Sequence, residues 1–141
     1  MKKLIPLILA CSVLLSCETT NYNGMIDTGI TMGVTVGLQT GIKDNEQRTM
    51  IADYVDVGAA ALYTITGTPT PQELATMVNS WIPENVKQQY PYVSTFITPL
   101  ITSAYDAGIK KYGKDTEKTR ALLNRIAADL QAGAACCITR K

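Results

Sequence analysis

Asp53 and Asp56 stand three residues apart, so on a helix their carboxyl groups share a face one turn apart. Two carboxyl groups held that close can keep a proton between them or bind a cation, as in glycosidase-like hydrolysis. A solvated polar face explains the same spacing and is the simpler reading. Cys136 and Cys137 are adjacent and lack the two-residue gap of a dithiol redox motif. A strained vicinal bridge, a disulfide to another chain and a frayed tail all remain open for them. The chain contains no histidine, which removes Ser-His-Asp and Cys-His catalysis and every metal site built on imidazole. Gly29, Gly33, Gly37 and Gly41 recur at a spacing of four, but without the lysine and the strand-to-helix setting of a phosphate loop. Lys110, Lys111, Lys114 and Lys118 read first as a solvated edge and second as a lipid-facing patch. These residues give no catalytic constellation, no metal site and no cofactor, and the chain reads as a non-enzyme.

The elements that would position these residues are helices. In 21–43 the glycine stripe runs beside Ile30, Val34, Leu38 and Ile42, which on a helix lets another helix approach closely. Ile30, Met32, Val34, Val36 and Leu38 also alternate with polar or small residues, which is strand periodicity. The segment has no second strand to pair with, so helix is favoured. Asp44 or Asn45 caps a second helix running to about Thr66, with Ile51, Tyr54, Val55, Gly58, Ala61, Leu62 and Ile65 inward and Gly67 closing it. Thr70-Pro71-Gln72-Glu73 is a capping box with proline at the first helical position, followed by Leu74, Met77, Val78 and Trp81 on one face. Pro83 opens a short turn that ends before Pro91.

Residues 91–112 form a longer helix with Val93, Phe96, Ile97, Leu100, Ile101, Ala104, Tyr105, Gly108 and Ile109 inward. Pro99 inside it removes a backbone hydrogen bond, and a kink is expected near Thr95. Asp115 or Thr116 opens a last helix, which buries Leu122, Leu123, Ile126 and Leu130 and finishes near Gly133. The expectation is an all-α fold, an irregular bundle of about five helices with short connections. Tyr90, Tyr92, Tyr105 and Tyr112, with Trp81, suit either a docking surface or core packing with hydroxyls at the rim.

Ahead of this body, Met1-Lys2-Lys3 leads into an almost wholly apolar run over residues 4–15, then Ser16-Cys17. A basic start, a short apolar core and a small residue before the cut form a secretory signal, too short for the roughly 20 residues of a membrane helix. Leu14-Leu15-Ser16-Cys17 resembles the lipobox of bacterial lipoproteins, with Leu15 where Ala or Ser is commoner. That resemblance implies lipidation of Cys17, cleavage before it, and attachment to a membrane through the acyl chains. Glu18 in place of aspartate favours the outer membrane, facing the periplasm, if the cell is Gram-negative. The expected organisation is a signal peptide over 1–16, a lipidated tether over 17–20, a helical domain over 21–134 and a tail over 135–141. The glycine stripe also resembles the glycine zippers of some outer-membrane lipoproteins, over some 13 residues from Gly29 to Gly41.

Charge narrows the partners. Loss of residues 1–16 removes two lysines and leaves 11 basic against 12 acidic side chains. Such a balance makes nucleic acid an unsuitable partner. Residues 18–106 are net acidic and 107–141 net basic, which fits two faces of one fold attracting each other, or a basic helix resting on anionic headgroups. The reading is therefore a membrane-anchored helical lipoprotein of the cell envelope that acts as an interaction or structural module on an envelope protein. The alternatives are a membrane-perturbing or homo-oligomeric protein working through Gly29, Gly33, Gly37 and Gly41, and a phage-encoded lipoprotein that blocks a receptor.

Overall fold

The computed structural model describes the backbone of residues 22–113 and 115–138 and the side chains from Asp27 onward, apart from Tyr92. Six helices follow one another among these residues, with no strand: α1 (Tyr22–Gly41), α2 (Asn45–Leu62), α3 (Pro71–Ser80), α4 (Glu84–Gln89), α5 (Pro91–Tyr112) and α6 (Thr116–Ala134). The fold is all-α, as the periodicity predicts. The leader, Cys17 and the tether lie outside the described residues, as do Lys114 and the last three residues of the tail.

The ambiguous first segment is a helix because its apolar residues split by helical period. Ile30, Val34, Leu38 and Ile42 are buried, whereas Met32 and Val36 face outward. A strand would have placed all six on one side. At the end of α1 the Arg48 guanidinium reaches back from α2 and donates to the carbonyls of Leu38 at 3.2 Å and Ile42 at 2.9 Å. It gives the Ile42 carbonyl, beyond the helix end, a donor, and adds a second to the Leu38 carbonyl, which already accepts from the Ile42 amide at 3.3 Å. Asp44 caps α2 by accepting from the Gln47 amide at 2.9 Å.

Two sequence expectations shift at α2. It ends at Leu62 rather than near Thr66, because the amides of Tyr63, Thr64 and Ile65 bond to carbonyls three residues back. The Thr64 hydroxyl takes the Ala61 carbonyl at 2.7 Å as well. Gly67, in a left-handed conformation (φ +82), turns the following loop and is not the residue that closes the helix. The inward face holds Ile51, Val55, Gly58 and Leu62 as expected and widens to Ala52 and Ala59, whereas Ala61 is exposed.

The capping box at α3 forms as expected. Thr70 Oγ1 accepts from the Glu73 amide at 3.1 Å, and Glu73 accepts from the Thr70 amide at 2.7 Å. α5 runs unbroken through Pro99, and Gly113 (φ +74) ends it. Asp115 caps α6 by accepting from the Lys118 amide at 3.0 Å.

Helices α1, α2, α5 and α6 form the bundle, and the short α3 and α4 pack on α5. Polar contacts fix how α1 lies on α6. Arg125 meets Asp27, Thr31 donates to the Asp129 carbonyl, and Thr35 donates to the Gly133 carbonyl. Each pair is separated by the same 98 residues, so the two helices run parallel and in step for two turns. Against α5 the direction reverses, since Gly33 lies under Leu100 and Gly37 under Phe96. The core between them holds Ile30, Val34, Ile51, Val55, Ile101, Leu123, Ile126 and Leu130, all essentially inaccessible to water.

Candidate functional site

On the α6 flank α1 packs against backbone; on the α5 flank its glycines meet only the ends of side chains. Between α1 and α5 an apolar groove of about 310 Å³ opens, floored by Gly33, Gly37 and Gly41 and walled by Val36, Val93, Phe96 and Ile97. The cause is local. Glycines on adjacent turns bring no side chain to the interface, and the Phe96 ring leans into part of the space. A Cβ on Gly37 would overlap that ring, and one on Gly33 would sit 3.1 Å from Leu100. Gly29, the first of the stripe, meets no described atom within 4 Å. The stripe therefore divides, with its middle receiving α5 of the same chain and its first glycine left open.

Val36 (50% exposed) and Phe96 (37%) line this groove, and Met32 (55%) is exposed one turn before Val36 on α1. These are three of the five large apolar side chains that the described surface leaves exposed; Val57 and Tyr63 lie elsewhere, on and just after α2. The sequence places Phe96 inward with the rest of its helix face, and the structure corrects that. Phe96 sits on the edge of the face, where the nearest element is glycine rather than a side chain that could cover it. Met32 and Val36 carried a legible signal, since four residues apart they form a second apolar stripe on a helix whose first is already buried.

The other candidate residues do not assemble into a site. Asp53 is exposed beside Glu46 and Tyr54, whereas Asp56 is half-buried and its carbonyl accepts from Gln131. No three His, Cys, Asp or Glu side chains come together as a metal site among the described residues. Tyr105 is wholly buried and donates to the Pro69 carbonyl at 2.7 Å, so it is core rather than docking surface. Burial, helped by the Glu73 charge, raises its phenol above the usual range. Tyr90 and Tyr112 are half-buried. Lys110 pairs with Asp106 at 2.7 Å, and Lys111 lies over the Tyr112 ring. Cys136 and Cys137 are free thiols in the turn after α6, beside Arg48 and Thr49. Burial and the neighbouring Cys136 push the Cys137 thiol up to about 11, so at neutral pH it is not a thiolate nucleophile. Thr49 donates to its carbonyl at 3.0 Å, which ties this part of the tail to α2.

One charged cluster was not foreseen. Arg125 grips Asp27 with two hydrogen bonds, Nε to Oδ1 at 2.6 Å and Nη2 to Oδ2 at 3.0 Å. Asp129 stands one turn further along α6, within hydrogen-bonding reach of Asp27. Burial pushes Asp27 upward, but the hydrogen bonds from Arg125 and Asp129 outweigh it and hold the carboxyl below its ordinary range. Burial, then the bond to Asp27 and its charge, push Asp129 up to about 7. Arg125 and Asp129 at a spacing of four are visible in the sequence as a helical pair. Asp27, 98 residues away, is not.

No family model matches this chain, and neither does any curated protein or solved structure. No helix among the described residues is long and apolar enough to cross a membrane.

Proposed function

We propose that this chain is a membrane-anchored, non-enzymatic interaction module of the bacterial cell envelope, which seats an apolar segment of an envelope protein in the groove between α1 and α5. The observation that carries this reading is that the exposed Val36 and Phe96 both line a single apolar hollow of about 310 Å³. Scattered exposed apolar residues are ordinary on a protein surface, whereas a rimmed apolar concavity is a common form of recognition site. Glycines along its floor add no side chain of α1 to the hollow, which the Phe96 ring fills only in part. The lipobox-type leader supports attachment through Cys17, which would hold the groove near partners in the same membrane.

A photo-crosslinking residue at Val36 in the full chain, in intact cells, tests this reading. Val57 on α2 is the control, being more exposed (72%) and away from the groove. The expected result is a discrete protein adduct from position 36 and none from position 57. Adducts of phospholipid alone from position 36, or equal protein capture from both, would remove the reading.

A further inference from the structure

The Asp27, Arg125 and Asp129 cluster has no part in the groove, and it contains an imbalance. Two carboxyl groups share one guanidinium, and the guanidinium spends both of its aligned donors on Asp27. Asp129 Oδ2 is buried and finds no donor among the described residues. A buried carboxylate oxygen without a donor is costly. The ionisable groups here are Asp27 from α1 and Arg125 and Asp129 from α6, with Tyr112 of α5 beside Arg125. Among them, a proton held between the two carboxyl groups supplies the missing hydrogen bond.

We propose that Asp27, Arg125 and Asp129 form a proton-operated latch, which clamps α1 to α6 while the carboxyl pair holds one proton and loosens the N-terminal half of α1 when that proton leaves. With the proton on Asp129, its O–H donates to Asp27 and one net negative charge faces one guanidinium. When water takes the proton, two carboxylates face the same guanidinium at close range. Their repulsion acts across the α1–α6 interface, in step with the Thr31 and Thr35 hydrogen bonds on the next two turns. The Asp129 carboxyl titrates at about 7, so the latch responds to modest changes around neutrality.

The sign follows from linkage. An acid that is harder to ionise in the clamped state favours clamping at low pH and loses that preference as pH rises through about 7. Taking the loosened state to have an ordinary aspartate, the clamping equilibrium weakens about tenfold between pH 6 and pH 8.

Two measurements on the full chain in detergent micelles test the latch. Carbon-13 NMR of the aspartate carboxyl groups should show Asp129 titrating near neutrality, and Asp27→Asn should return it towards the ordinary range. Amide exchange over residues 26–34, corrected for the intrinsic effect of pH, should show about tenfold less protection at pH 8 than at pH 6. Asp129→Asn, whose amide donates at every pH, should abolish that difference and keep the high protection. An Asp129 carboxyl titrating near 4, or protection of α1 that does not change with pH, would overturn the proposal.

Discussion

Helix α1 has two flanks of opposite character. Towards α6, Gly133 brings the backbones so close that a Cβ there would lie 2.8 Å from the Thr31 carbonyl oxygen and from Val34. Towards α5, Gly33 and Gly37 also bring the helix close, but to the end of a mobile type of side chain rather than to backbone. The first interface is filled and tied by polar bonds at every turn; the second keeps an apolar hollow. A glycine between helices thus gives tight packing or a binding groove according to what stands opposite it. Spacing along one helix does not decide between the two.

The same substitution on the two flanks breaks this comparison most sharply. Gly133→Ala sets a methyl group against a carbonyl and a valine that the core holds in place, and it should cost about 2 kcal/mol in thermal or denaturant unfolding. Next comes the ion pair. Arg125→Ala leaves Asp27 and Asp129 facing each other without the guanidinium. Both members of the Arg125–Asp27 pair are more than a third exposed, and water screens them, so the loss should be about 1 kcal/mol at neutral pH.

A third prediction concerns pH. Asp129, raised to about 7, contributes stability that is lost as pH climbs from about 4 to about 7. Asp27, lowered, contributes stability that is present above about 4 and lost only in acid. Stability should therefore be greatest in mildly acidic solution, and Asp129→Asn should flatten the fall towards neutrality, by about 1 kcal/mol after allowing for exposure. Smallest is Gly37→Ala. Its methyl displaces the half-exposed Phe96 ring outward, a cost offset by the roughly 1 kcal/mol that alanine adds to a helix, and stability should stay within about 0.5 kcal/mol.

How far these features could be read in advance varies with how local their causes are. The capping box at Thr70, the cap at Asp115 and the stop at Gly113 depend on a few neighbouring residues, and their chemistry was legible. The helix over Tyr22–Gly41 was legible by a narrower margin, because its even-numbered apolar residues serve two faces at once. Phe96 was misplaced for the opposite reason. Its period assigned it to the core, but the glycines that leave it uncovered belong to another helix some 60 residues earlier. The Asp27–Arg125 pair needs helices from the two ends of the chain to lie in step, which no local pattern announces.

The groove between α1 and α5 is the central claim, and filling it is the direct test. A Gly37→Leu chain carrying the photo-crosslinking residue at Val36 should keep its helical circular dichroism and its cooperative unfolding, because the new side chain meets the exposed Phe96 ring first and the groove lies beside it. The protein adduct seen from position 36 with glycine in place should then disappear. The same adduct at undiminished yield, from a folded chain with its groove occupied by leucine, would contradict the account.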